Sequence, residues 1–358
     1  MGSSKVISNR EIFYLVFLLQ QSGVFWLLPY FWVRGNGTAG IGAIFGGLIT
    51  AVSIIWVGQY WGTRIGDLEF IAALRQSHKI LGSLLGGVCC MFYLIFAILM
   101  LYCFVDVVQK QILTETPHFV LCMVTMLLAG WLSRGGLESI ARFAILCIGA
   151  LILMVIVSIA GTMDLFTPEA ALPLIIYDKA QLESAFVQSA FCYSGLLSVF
   201  MLYPASGEKH SLHKVLYKAV GMGAVMLIVW TAYALCVLGA YSLQTVLWIP
   251  VHLARMVEIG TLINQIESLF IVLWMAIVVT IGSLFLWCAS AGVHQLIGKH
   301  QSEGLHWSII LAAFMGMLYL RNTMGLLQMV TLLAKAMLVI LPILLIAILL
   351  LTPKRRKS

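Results

Sequence analysis

Apolar runs of about 20 residues, the length that crosses the hydrocarbon core of a bilayer, recur along almost the whole chain. No soluble fold buries that much apolar sequence in runs of that length, so the chain is read as all-helical and membrane-embedded. Composition agrees: 62% of the 358 residues are apolar, 10% are charged, and the mean hydropathy is +1.03. Ten spans are expected, at 11–32, 38–60, 81–107, 118–133, 139–161, 183–203, 214–240, 260–291, 305–320 and 325–351. The fourth and ninth are the shortest. The first ten residues are short and polar with no cleavage site after them, which predicts a retained first span.

Two of these runs are interrupted. Gln21-Ser22-Gly23-Val24-Phe25-Trp26-Leu27-Leu28-Pro29 places Gln, Ser and Gly at bilayer depth, where Gly weakens a helix and Ser competes for backbone hydrogen bonds. About halfway along the chain, Phe191-Cys192-Tyr193-Ser194-Gly195, closed by Pro204, repeats the pattern. Small residues also serve close helix packing, but paired interruptions at matching positions of two halves point to a mid-membrane ligand site. Five spans and then five more, each set opening on a break, predict an inverted repeat. An odd number of spans per unit forces the second unit upside down. The expectation is a single transmembrane domain over 1–358, with one repeat at 11–161 and the other at 183–351. By fold analogy this is similar to the LeuT-like amino acid–polyamine–organocation superfamily, with the first and sixth helices discontinuous.

Orientation follows from the basic residues. With both termini cytoplasmic, fifteen of the 21 Lys and Arg fall inside and five outside (Arg34, Lys110, Lys179, Arg255 and Arg321). The net charge of +7 is scattered over loops and the 353–357 tail, which reads as topology and lipid contact and gives no nucleic-acid patch. Two outer loops, 163–182 and 241–259, mix aromatic, acidic and proline residues. The second is expected to be an interfacial helix along the outer leaflet. Both are gates or docking surfaces, or else plain re-entry loops.

Unwinding at Ser22-Gly23 and Ser194-Gly195 would free amide and carbonyl groups beside half-helix ends. Such ends attract a carboxylate, and free carbonyls accept from an ammonium, which together describe an amino acid. The residues expected at that site are Ser22, Gly23, Val24, Phe25, Cys192, Tyr193, Ser194 and Gly195. Tyr93, Ala97, Trp274 and Thr280 join them by fold analogy, from the third and eighth helices. Ionisable groups at bilayer depth are costly and are functional hypotheses by default. Glu267 is read as a proton-coupling carboxylate, a contact to a ligand amine, or a structural carboxylate bonded to a neighbouring helix. Lys335 is read as a fixed cation where other transporters bind sodium, as a salt-bridge partner of Glu267, or as snorkelling to an edge. Asp106 lies nearer the outer end of its span. Gln21 and Gln265 either complete a polar track or bridge helices.

The eight cysteines lie mostly in apolar runs with no CxxC pair, so neither a metal nor a disulfide framework is expected, and no cofactor is. There is no HExxH, GxSxG or P-loop, so an enzyme is not expected.

The segment from Leu238-Gly239 through Trp248-Ile249-Pro250, Arg255-Met256-Val257-Glu258-Ile259-Gly260 and Ile266-Glu267-Ser268-Leu269-Phe270 to Trp274 resembles the spore germination receptor B subunits, the endospore germination permease family. Gly135-Gly136-Leu137-Glu138-Ser139-Ile140-Ala141-Arg142 is similar to that family's segment after the fourth helix. Gln265 stands where the family pattern has Arg, and Asn264 where it has an acid, so only Glu267 carries over from that pair. The resemblance implies a nutrient receptor of the spore inner membrane that binds a germinant such as an amino acid. Its implied partners are an A subunit and a lipoprotein C subunit. The alternative is a secondary amino acid transporter, proton-coupled through Glu267.

Overall fold

The computed structural model describes residues 7–34, 36–65, 68–171, 178–257, 266–298, 302–323 and 325–352, the side chains of 23, 24, 266, 267 and 321–323 excepted. All named elements among them are helical. The chain runs α1 (Asn9–Leu19), α2 (Leu28–Val33), α3 (Ile44–Ile65), α4 (Phe70–Ser77), α5 (Lys79–Gln111), α6 (His118–Arg134) and α7 (Gly136–Thr162). It continues with α8 (Lys179–Ser194), α9 (Val199–Leu202), α10 (Lys209–Leu243), α11 (Ile249–Arg255), α12 (Ile266–Ile297), α13 (Glu303–Thr323) and α14 (Leu326–Leu351). Among the described residues, eight segments are long and apolar enough to span a bilayer. Of the ten expected, the other two are the first, broken between α1 and α2, and the fourth, where α6 has 17 residues. The protein is an integral membrane protein.

The packing pairs expose the repeat. α3 lies along α8 as α1 lies along α10; α1 packs on α7 as α8 packs on α14; α6 packs on α12 as α13 packs on α5. Each pair maps onto the other when a span is exchanged with the span five later, as a five-plus-five inverted repeat requires. The long α5 and α12 cross at the centre and form the most extensive contact of all.

Small residues set how closely these helices approach. An added Cβ on Gly47 of α3 would fall 2.2 Å from the Tyr193 ring, and one on Gly62 would fall 2.6 Å from the Tyr203 ring. One face of α3 is therefore a glycine trough that receives the aromatic residues of the sixth span. α10 bends at Gly239, whose φ of 77° is open to glycine and costly for other residues. The Cys236 carbonyl exposed there accepts from the Thr167 amide at 3.0 Å.

Two elements add to the sequence expectation. α11 falls within the expected outer helix, with Ile249, Pro250, Val251, Leu253 and Ala254 buried against the bundle and His252 and Arg255 facing outward. Its apolar residues outnumber its polar ones, and α10, α12 and α7 offer a protein surface to cover them. There, partial burial and the nearby Arg255 push the His252 pKa down. α4, not foreseen, is an amphipathic helix fixed to the end of α12, with the Ile71 amide donating to Gln295 Oε1 at 3.0 Å.

Gly47→Val should drive a branched side chain into the Tyr193 ring and lower stability by roughly 1–3 kcal/mol. Gly87→Ala, which meets nothing within 4 Å, should leave the thermal midpoint in detergent unchanged or raised.

Candidate functional site

The first break is an opened helix. α1 ends at Gln20, Ser22 is extended at φ −130°, ψ 156°, and a 3-10 turn over Gly23–Leu27 leads into α2 with Pro29 in its first turn. Ser22 caps no amide of that turn. Its hydroxyl donates back to the Leu19 carbonyl at 3.0 Å and lies 3.9 Å from Met100 Sδ. The leading amides of the turn, Gly23 and Val24, sit where a helix offers N–H groups with no partner of its own. Gln20 and Gln21 anchor the break to α10: Gln20 Nε2 donates to the Ala219 carbonyl at 3.1 Å and Gln21 Nε2 to the Gly223 carbonyl at 3.4 Å.

The second break is tighter than expected. From Ser194 through Gly195–Ser198 to Val199 the backbone keeps right-handed helical angles, and the helix narrows to a 3-10 turn without unwinding. Hydroxyls already occupy its carbonyls. Ser194 Oγ donates to Phe191 at 2.6 Å, Ser198 Oγ to Gly195 at 3.0 Å, and Tyr93 Oη, from α5, to Leu197 at 3.0 Å. Backbone amides of the turn reach these carbonyls too, Val199 N–H reaching Leu197, so a ligand ammonium there takes the place of a hydroxyl.

Aromatic rings join the breaks. Phe25 meets Tyr193 edge-on at 5.2 Å, and Trp26 stacks on Trp274 at 4.2 Å with the rings parallel. All four are buried. Phe96 fills the space beyond, 5.4 Å from Phe191 and 5.2 Å from Phe285, and a Cβ on Gly195 would meet it at 2.8 Å. Trp248, just before α11, closes on Trp274 at 6.1 Å. Beside the first break a cavity of about 30 Å³ is bounded by Gln21, Trp26, Pro29, Met154, Trp230 and Phe270. That is room for water and too little for an amino acid. The site is closed, and among the described residues it holds three buried donors without an acceptor, Tyr193 Oη, Trp274 Nε1 and Trp248 Nε1.

The opposite end is latched. Ile7 pairs with the segment after the second break, its amide donating to the Ala205 carbonyl at 2.9 Å and its carbonyl accepting from Gly207 at 3.2 Å. Asn9 Nδ2 donates to Glu208 O at 3.0 Å and Ser211 Oγ at 2.8 Å, while Ser206 Oγ donates to Asn9 Oδ1 at 2.7 Å.

The structure thus brings together Ser22, Gly23, Phe25, Tyr93, Tyr193, Ser194, Gly195 and Trp274. Ala97, one turn after Tyr93, and Cys192 are buried in the same core. Val24 lies in the first turn, and its side chain is outside the described residues. Thr280 is not shared with the breaks: its hydroxyl donates to Ala276 at 2.7 Å and meets Cys147 Sγ of α7 at 3.2 Å. Six residues beyond Trp274, it faces another way around the helix. The backbone of Glu267 is in the first turn of α12, but its side chain, like Gln265, lies outside the described residues. Lys335 is exposed on α14, with no ion pair among the described residues; the side chain of Glu267, its expected partner, lies outside them. Asp106, buried near the outer end of α5, pairs with Lys110 at 2.7 Å. Phe96 and Phe285 were missed; Phe96 follows Tyr93 by three residues, so a helical wheel drawn from Tyr93 finds it.

The family model described as "Spore germination protein" matches residues 6–325. No curated protein matches the sequence. Among solved structures, the chain is similar to MhsT in complex with L-phenylalanine, with 16% identity, a TM-score of 0.63, and coverage of 94% of this chain and 87% of that one. At that identity the likeness shows the fold, which is LeuT-like.

Tyr93→Phe removes the donor to Leu197 and should cost about 1 kcal/mol. Amide exchange over 195–202 should rise in that variant while exchange in α13 stays at the parent rate.

Proposed function

The chain belongs to the spore germination protein (spore permease) family, and from that premise we propose that it is a germinant-sensing receptor subunit that binds an amino acid between its broken helices. Membership gives a permease-like germination protein; ligand, receptor role and partners are our reading. The observation that carries it is the pair of buried, unsatisfied donors, Tyr193 Oη and Trp274 Nε1, held where the two breaks meet. A buried donor without an acceptor costs about 1–3 kcal/mol, and a bound carboxylate or water removes that cost. The ligand carboxylate would take the leading amides of the first turn, at Gly23 and Val24, together with these donors. Its ammonium would take the place of the Ser198 or Tyr93 hydroxyl on the Gly195 or Leu197 carbonyl. Its side chain would enter among Phe25, Phe96 and Tyr193, which favours an apolar amino acid.

Because the site is closed, binding requires the rings between the breaks to part. The ligand then favours an open arrangement only as far as it binds that arrangement better, and the shift passes to the proposed A and C subunits. Glu267 is kept as the proposed coupling carboxylate. Both termini are proposed to be cytoplasmic, in the spore inner membrane.

The test is thermal stabilisation of the purified protein across a panel of amino acids, sugars and nucleosides. An amino acid at 100 times its dissociation constant should stabilise by about 2.7 kcal/mol. Gly195→Leu should abolish the shift while membrane insertion is retained. A shift unchanged in that variant would move the site elsewhere. Substrate-dependent uptake by the isolated protein in proteoliposomes would instead make it a transporter, and Glu267→Gln should then flatten the pH dependence of uptake.

A further inference from the structure

α14 is the last described helix and one of the least covered. Leu332, Leu338, Val339, Ile343 and Ile346 are exposed along it, as suits a helix facing lipid. Lys335 stands among them, exposed. It is nine residues after Leu326, about 14 Å along a helix of about 39 Å, which places it inside a hydrocarbon core about 30 Å thick. A lysine there is costly in lipid unless it is paired or reaches an interface.

Among the described residues no acid is placed to pair with it. The residues one turn away on α14 are Thr331, Leu332, Leu338 and Val339, none of them acidic. The helices packed on α14 are α8, α3, α5 and α4. α3 and α4 contain no Asp or Glu. The acid on α8 is Glu183, exposed beside Lys179 at 3.9 Å near the start of that helix. The acid on α5 is Asp106, buried and paired with Lys110. A second copy of the chain serves no better. Its described acids within spans lie near helix ends, and a symmetric pairing of α14 faces would set one Lys335 against another.

We propose that the Lys335 face of α14 is the docking surface for a different membrane-spanning protein, one that presents an Asp or Glu at the same depth. The ion pair fixes the register of the two helices, and the flanking Leu332, Leu338 and Val339 supply the packing around it. Removing one partner of such a pair strands the other charge in lipid, so assembly depends on both. The proposal is independent of which ligand the broken helices bind, or whether they bind one.

The experiment places a photo-crosslinking residue at Leu338 of the full chain in its native membrane. One protein adduct is expected, mapping within one helical turn of an Asp or Glu in a spanning segment of the other protein. Lys335→Leu, which suits a lipid face and should insert at the parent level, should reduce that adduct at least tenfold. Lys335→Arg should keep it, and Lys335→Glu combined with the partner's acid changed to Lys should restore it. Adducts to lipid alone, an adduct to a second copy, a partner segment without an acid, or an adduct undiminished in Lys335→Leu would each overturn the proposal. A Lys335 that only snorkels gives the last of these. Ligand stabilisation measured on the same Lys335→Leu protein reads the broken-helix site separately.

Discussion

A backbone amide or carbonyl left unpaired in hydrocarbon costs several kcal/mol, and nearly everything about this fold follows from that cost. It confines the spans to helices. It also confines any break to places where other protein can supply the missing bonds. Both breaks meet this condition by different routes. At the first, the extended Ser22 leaves the helix, and Gln20 and Gln21 bind the site to carbonyls of α10. At the second, the helix only narrows, and three hydroxyls cover the carbonyls that narrowing exposes. One break keeps amides in reserve, while the other keeps carbonyls held by exchangeable hydroxyls. A molecule with a carboxylate at one end and an ammonium at the other would use both.

Holding the breaks together needs close approach, and glycine supplies it. Gly47 lets the Tyr193 ring lie against α3, and Gly195 leaves room for Phe96. The rings then do two jobs that conflict. They fill the core at the density a stable bundle needs, and they occupy the volume a ligand would take. Tyr193 pairs with Phe25 across the breaks, yet its hydroxyl finds no acceptor. Packing is satisfied in this arrangement and hydrogen bonding is not, which leaves the closed site poised to accept a polar molecule.

Much of this was legible in the sequence because it follows from chain chemistry within a few residues. The apolar runs, the two Ser-Gly interruptions and the proline after each could be read directly. What was not legible depends on neighbours remote in sequence. The Tyr93 bond to Leu197 joins residues 104 apart. Which side α11 turns inward is set by the bundle beneath it. The sides that Thr280 and Lys335 take were not legible for one shared reason. A residue in an all-apolar helix gives no sign of which face meets the core, since periodicity disappears when both faces are apolar.

That same loss of periodicity makes Lys335 informative. On a helix whose lipid face and protein face look alike in composition, a single charge distinguishes them. Had α14 turned Lys335 inward, the charge would have met α8 and α3 near the second break, where hydroxyls and carbonyls could have held it. The fold instead turns it outward, away from every acid on the helices packed against α14. A chain that only had to be stable in lipid would gain from leucine at that position. Retaining lysine makes sense when the helix is completed by another chain, in the same way that the unpaired donors at the breaks make sense when the site is completed by a ligand.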